Sequence, residues 1–153
     1  MTIEECKLQT IDHIDRVRHY IRFFTDRLTD RAEKHDASKN AEPEVSLFAK
    51  HTDKLKMLEY GSEEYKAELE ALAPALEHHY AVNKHHPQHY PEGIEGMNLL
   101  DMCEMLCDWK ASSERMKNGN LLKSIETNAE RFHIDKQLTQ ILVNTAKLLE
   151  DQE

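Results

Sequence analysis

The adjacent residues His35 and Asp36 are the first candidates for chemistry in this sequence. Neutral imidazole nitrogens and carboxylate oxygens are both ligands of first-row divalent metals. Lys39 follows one helical turn after His35, where its ammonium group could meet an anionic group bound near a metal. The pair therefore predicts a metal site, and the polar neighbours Glu33 and Lys34 leave a solvated helix end as the alternative.

Histidines are concentrated in one short stretch, since five of the ten fall within residues 78–89. His79, Asn83 and His86 follow at i, i+4 and i+7, a spacing that places three side chains on one face of a helix. Such a face can converge on a metal or a phosphate, whereas histidines at a solvated helix end would serve the helix dipole. His79, Asn83 and His86 are therefore candidates to contact a metal or a phosphate-bearing substrate, and Asn83 could instead orient a ligand.

An acidic stripe runs along the apolar segment 99–109, where Asp101, Glu104 and Asp108 stand at i, i+3 and i+7. Buried carboxylates are costly unless they are paired or bound to a metal. Asp101 is near the start of the predicted helix and can serve its dipole. Asp108 is therefore the predicted metal ligand, with a solvated acidic face as the alternative.

A histidine on the first helix is a further candidate ligand, with a purely structural histidine as the alternative. His13 and His19 are six residues apart, so they point in different directions and only one of them should face the site. His13 lies beside the apolar residues Ile14 and Val17 and is preferred, while His19 stays open as the alternative.

In chain order, these signals are a histidine, a His-Asp pair, a histidine cluster and an aspartate. This order resembles the HD-domain superfamily of metal-dependent phosphohydrolases, and more narrowly a little-characterised bacterial and phage group within it. Four segments carry the resemblance, which covers roughly residues 10–132: HIDRV (13–17), RAEKHDASK (31–39), HHYAVNKHHPQHY (78–90) and MLCDWKAS (105–112).

The resemblance implies a set of metal ligands. The four core ligands of the superfamily match His13, His35, Asp36 and Asp108. Two-metal members add histidines between the His-Asp pair and the last aspartate, a place matched by His79 with His85 or His86. The expected cofactor is one or two divalent transition metal ions, chosen among Mn, Fe, Co, Ni and Zn.

The activity implied by the resemblance is hydrolysis of a small, nucleotide-like phosphate ester. Asp36 would bind the metal and hold its water, and Lys39 would neutralise the developing phosphate charge, with Lys110 and Arg115 as further candidates. Two alternatives stay open. One is a di-iron oxygenase of the same fold, and the other is a non-catalytic, metal- or nucleotide-binding regulatory module.

The elements that must position these residues are predicted to be helical. Only 4 Gly and 4 Pro occur in 153 residues, too few for the many turns of a β-sandwich. We expect an all-α fold, with five to seven helices in one compact HD-like domain over 1–153 and a closing helical pair in 119–153. The third long helix should run from Ser62 to about His86 and the fourth from Met97 to Lys117, with the segment 50–54 a candidate loop.

The first helix is predicted from Thr2 to about Ala32, because Thr2 and Glu5 match a capping box. Apolar residues at helical spacing predict its buried stripe: Ile3, Ile11, Ile14, Val17, Ile21, Phe24 and Leu28.

The formal net charge of −9 argues against nucleic-acid or anionic-membrane partners, because both need a basic surface. The expected partner is a small-molecule phosphate ester. The sequence has no apolar run of bilayer length, and its N-terminus is acidic where a signal peptide is basic, so a cytoplasmic location is expected. Cys103 and Cys107 are predicted to be small core residues in a reducing compartment.

Overall fold

The computed structural model describes residues 1–59, 61–116 and 118–150, and within them it contains six α-helices and no strand. The helices are α1 (Ile3–Lys34), α2 (Glu44–Met57), α3 (Glu63–Val82), α4 (Leu99–Glu114), α5 (Leu121–Arg131) and α6 (Lys136–Glu150). Three short 3-10 segments lie between them: Ala37–Asn40, Pro87–His89 and Gly93–Gly96. The prediction of an all-α fold with five to seven helices is confirmed. The predicted end of the fourth long helix, Lys117, lies outside the described residues.

The chain divides into two compact units, Met1–His35 and Asp36–Glu153. The first unit is essentially α1, which begins with the predicted capping box. Within this box the backbone amide of Thr2 donates to Glu5 Oε2 at 2.7 Å, and that of Glu5 donates to Thr2 Oγ1 at 3.2 Å.

The apolar stripe of α1 is not buried, contrary to the prediction. None of the residues of α1 is buried, and Ile3, Ile21 and Phe24 each expose half of their surface or more. A single helix forms this unit, so the unit contains no second apolar surface against which the stripe could pack.

In the second unit, α2 and α3 pack against each other. α2 is continuous through the segment 50–54, so the loop considered there is wrong. Ser62 caps α3 as predicted, accepting a hydrogen bond from the amide of Tyr65 at 3.1 Å, and the helix continues through Pro74. The predicted extension of α3 to His86 is wrong, because Asn83 leaves the helical conformation (φ −113°, ψ 105°) and ends the helix.

The apolar core of the second unit lies among α4, α5 and α6. It consists of Leu106, Leu121, Ile125, Ile134, Leu142 and Ala146. One face of α4 thus packs in this core, and the same helix carries Glu104 and Asp108. Cys103 and Cys107 are exposed on α4, so their prediction as core residues is wrong.

None of the described helices combines the length and the apolar character that are needed to cross a membrane.

Candidate metal centre

Asp36 begins the second unit, just before the 3-10 segment Ala37–Asn40. Its backbone is left-handed (φ 53°, ψ 18°), a conformation that aspartate tolerates better than most residues. The Oδ2 atom of Asp36 accepts from Lys39 Nζ at 2.6 Å, while Oδ1 is buried and faces a group of histidines. The two carboxylate oxygens therefore have separate surroundings, one towards a lysine and one towards imidazoles.

Three imidazoles lie close to Asp36, and two of them approach its Oδ1 atom with Nε2. The Nε2 atoms of His79 and His85 lie 3.3 Å and 3.4 Å from this oxygen. His86 Nε2 lies 2.9 Å from His79 Nε2. One ligand atom from each of the four residues lies within 4.8 Å of all the others, and His79 and His85 are buried.

The spacing of these atoms fits a shared metal ion. Metal–nitrogen bonds of ~2.0–2.1 Å place neighbouring ligand atoms ~3.0 Å apart in an octahedral site and ~3.4 Å apart in a tetrahedral one. The observed separations of 2.9, 3.3 and 3.4 Å lie at these values. Asp36, His79, His85 and His86 can therefore hold a metal ion.

Two carboxylates lie behind the histidines. The Nδ1 atom of His79 donates to Glu44 Oε2 at 2.8 Å, and Nδ1 of His85 lies 3.0 Å from Glu104 Oε1. An imidazole whose Nδ1 proton is held by a carboxylate presents the lone pair of Nε2. These contacts thus select the tautomer in which both rings can act as metal ligands.

Glu44 is fully buried in the first turn of α2. Its second oxygen, Oε1, accepts from Nδ1 of His78 at 2.7 Å. Burial raises the pKa of this carboxyl, but hydrogen bonds with His78, Ser38 and His79 outweigh burial and lower the pKa overall. Glu44 is therefore ionised at neutral pH and available as the acceptor for His79.

Two of the histidines, His79 and His86, are held in the neutral form. Burial lowers the pKa of His79, and the hydrogen bond to Glu44 only partly opposes it. Burial, followed by the nearby His85 and His79, lowers the pKa of His86 to about 3. Metal binding requires neutral imidazole, so these ligands need not release a proton at pH 7.

Asn83 connects the end of α3 to the 3-10 segment after Asp36. Its Nδ2 atom donates to Ser38 Oγ and to the carbonyl oxygen of His79, each at 2.8 Å. The amide therefore holds the backbone from which His79 projects. Of the two roles predicted for Asn83, this geometry favours the orientation of a ligand. Contact between Asn83 and a substrate stays a prediction.

Asp108 and the predicted cations lie on or just after α4. A carboxylate oxygen of Asp108 lies within 4.8 Å of a carboxylate oxygen of Asp36. The two carboxylates could therefore contact a second ion together. Lys110 forms an ion pair with Glu114 at 3.2 Å, and Arg115 donates to Ser112 Oγ at 3.1 Å. Lys39 contacts a proposed ligand directly, through its ion pair with Asp36.

The remaining predicted ligands belong to the first unit. His35 ends α1 as its C-terminal cap, directly before Asp36 in the chain. His13 and His19 lie on α1, where both are exposed. Their roles as ligands stay predictions, as does the choice between His13 and His19.

Sequence reasoning assigned no role to Glu44, and it left His85 as an alternative to His86. The structure brings both histidines to Asp36. An acidic residue in the first turn of a helix normally serves the helix dipole, so Glu44 gave no signal of its contact with His79. Glu104 did carry a signal, because it belongs to the acidic stripe that was recognised on α4.

The comparisons with known proteins add a family and no function. No curated protein and no solved structure matches the chain. One family model matches residues 2–151, which is nearly the whole sequence. The chain therefore belongs to the family described as "Family of unknown function (DUF5662)".

Proposed function

We propose that this protein is a metal-dependent phosphohydrolase that acts on a small phosphate ester. The observation that carries the proposal is the convergence of Asp36 Oδ1 with the Nε2 atoms of His79, His85 and His86. Carboxylates next to Nδ1 of His79 and His85 hold the ring protons there, which leaves the Nε2 lone pairs available to a metal. The order of ligands along the chain also supports the proposed relationship to the HD-domain superfamily.

The number of ligands bears on which metal would be catalytic. When bound, the ion supplies a Lewis acid that lowers the pKa of water and polarises a phosphoryl oxygen. Four protein ligands fill a tetrahedral zinc site, whereas a six-coordinate ion keeps two positions open. The 2.9 Å separation of His79 Nε2 and His86 Nε2 fits a six-coordinate ion, and the separations of 3.3 and 3.4 Å from Asp36 Oδ1 fit a four-coordinate one. Zn therefore stays a candidate beside Mn, Fe, Co and Ni.

Lys39 is the proposed partner of the transferred phosphate. Its Nζ atom lies 2.6 Å from Asp36 Oδ2, and its side chain remains 42% exposed. An incoming phosphate can therefore contact the ammonium group while Asp36 Oδ1 remains with the histidines. A cation fixed there stabilises the charge that develops as the phosphate ester is cleaved.

Two measurements test the proposal together. Elemental analysis of the purified protein should give one or two transition metal ions per chain. Phosphate release from nucleoside monophosphates and phenyl phosphate should then depend on added Mn, Co or Ni. Absence of metal under every loading condition would refute the site, and bound metal with no phosphate release from any ester would refute the activity.

A lysine variant separates catalysis from metal binding. Lys39→Gln should keep the metal content of the wild type and lower kcat/KM about 100-fold, the usual effect of losing one charge-stabilising donor. Lys50→Gln on the exposed side of α2 is the matched control and should change neither quantity. Equal kcat/KM for Lys39→Gln and wild type would remove Lys39 from the mechanism.

One observation supports the oxygenase alternative: Asp36 and Asp108 could together contact a second ion next to the first. Two irons per chain with oxygen-dependent turnover would replace hydrolysis by that chemistry. A single zinc ion with four protein ligands and no bound water would favour the regulatory module instead.

A further inference from the structure

Helices α2 and α3 line a cavity of about 630 Å³ beside the metal centre. Its walls are largely apolar and include six side chains from the two helices: Val45, Phe48, Leu55, Leu69, Leu72 and Leu76. Cavities of ~300–1,000 Å³ with mostly apolar walls are typical of sites for small organic molecules.

The charged residues of the cavity have one sign. Lys39, Lys56 and Arg115 line it, and the described lining includes no aspartate or glutamate. This is unusual in a chain of net charge −9. A group of cations around apolar walls is complementary to a ligand that joins a negative charge to an apolar body.

Two residues that line the cavity, Lys39 and Phe48, also contact residues of the metal centre. Lys39 lines the cavity and also forms the ion pair with Asp36. Phe48 lies between the cavity and the metal centre, because its ring centroid is 6.0 Å from Lys39 Nζ and 6.3 Å from that of His79. A ligand whose anionic group contacts Lys39 can therefore place its organic group in the cavity.

We propose that this cavity binds the organic group of the substrate, which is therefore an alkyl or aryl phosphate monoester. The inference rests on the proposed function, and it replaces the nucleotide-like substrate with one whose alcohol is apolar. Leucine, valine and phenylalanine side chains offer no hydrogen bond to the hydroxyl groups of a sugar, so a ribose placed against them would lose bonds to water, of which Thr52 and Tyr65 on the cavity wall could replace only some. A hydrocarbon loses none.

The first test is a series of esters with the metal-loaded protein: methyl, propyl and hexyl phosphate. Each methylene that enters the cavity should raise kcat/KM about fourfold, the usual gain from burying one such group. Adenosine monophosphate should be a poorer substrate than hexyl phosphate. Equal kcat/KM across the series, or a preference for adenosine monophosphate, would overturn the proposal.

The second test uses a pair of matched variants on α3. Leu69 lines the cavity and is 41% exposed, so Leu69→Gln should fold and should lower kcat/KM for hexyl phosphate about tenfold with little change for methyl phosphate. Val82→Gln changes an exposed residue of the same helix outside the cavity and should resemble the wild type. Identical behaviour of the two variants would overturn the proposal.

Calorimetric binding of hexyl and methyl phosphate, with and without added metal, separates this inference from the proposed function. Tighter binding of hexyl phosphate that Leu69→Gln weakens would support the cavity site even if no ester is hydrolysed. Hydrolysis of every ester combined with equal binding of both would refute the cavity site and leave the hydrolase intact.

Discussion

The Nδ1 atom of His79 lies 2.8 Å from Oε2 of Glu44, although the two residues are 35 positions apart in the chain. Glu44 opens α2 and His79 lies in the last turn of α3, so the contact depends on how these helices pack. The imidazole can offer Nε2 to a metal only while its other nitrogen holds the proton. The packing of two helices thus decides the tautomer of a candidate metal ligand.

A change at Glu44 tests this relationship. Glu44→Gln should lower the affinity for Co²⁺ about 10- to 100-fold, as is usual when the acceptor behind a metal-binding histidine is lost. The amide can accept with one oxygen only, and its NH₂ group disfavours a proton on the nitrogen it faces. Affinity can be measured from the visible absorption of Co²⁺.

Glu70→Gln is the matched control for this prediction, because Glu70 is an exposed residue of α3. It should bind Co²⁺ as the wild type does. An affinity for Co²⁺ equal to that of the wild type in Glu44→Gln would show that Glu44 does not determine the tautomer of His79.

The carboxylate of Asp36 can be tested without disturbing the backbone. Asparagine also tolerates the left-handed conformation, so Asp36→Asn should keep the helix content while losing the charge that binds the metal. Elemental analysis should show a metal content near zero, and circular dichroism should be unchanged. Asp53→Asn, on the exposed side of α2, should keep full metal content. A metal content equal to that of the wild type in Asp36→Asn would exclude Asp36 as a ligand.

A pH dependence is expected from the pair formed by His51 and Glu68. Their Nδ1 and Oε2 atoms lie 2.5 Å apart, and this hydrogen bond, with a contribution from Lys54, lowers the pKa of Glu68. A carboxyl whose pKa is lowered by folding stabilises the protein above its unfolded pKa of about 4.3 and loses this effect as the pH falls.

Urea unfolding between pH 6 and pH 3 measures this contribution. The free energy of unfolding of Glu68→Gln should fall less steeply below about pH 4.3 than that of the wild type. Glu70→Gln should follow the wild-type curve. If all three proteins lose stability in parallel, the His51–Glu68 pair does not contribute.

The core of α4, α5 and α6 should determine stability and not metal binding. Ile125 is fully buried in it, and Ile125→Ala should lower the free energy of unfolding by about 3 kcal/mol. Ile141 on α6 is 53% exposed, so Ile141→Ala should cost well under about 1 kcal/mol. Urea unfolding measures both values. Equal costs for the two variants would contradict this assignment of the core.

Much of the fold was predictable because its signals are local. The capping box of Thr2 and the cap at Ser62 depend on residues three positions apart, and both are observed. The end of α3 was missed because Asn83 is compatible with both a helix and a cap. The stripe of α1 shows that an apolar face in a sequence does not by itself identify the surface that would cover it.

The site was predictable in its residue types and less so in its contacts. His79 and His86 were grouped by helical spacing, and they do meet, yet His86 reaches His79 from a loop and not from the same helix. Glu44 and Ser38 were missed because their contacts cross between elements. Periodicity describes one element at a time, so it cannot give partners that arise from packing.

At position 36, glycine would suit the left-handed backbone better than aspartate, but aspartate is the residue proposed to bind the metal. This conformation costs a non-glycine residue about 1 kcal/mol, less for aspartate, and glycine would relieve the cost. A selection for thermal stability alone should therefore enrich Asp36→Gly, and the same variants should have lost the metal. Libraries designed to make this protein more robust should hold residue 36 fixed, because the change that most eases its backbone would also remove a ligand of the proposed metal site.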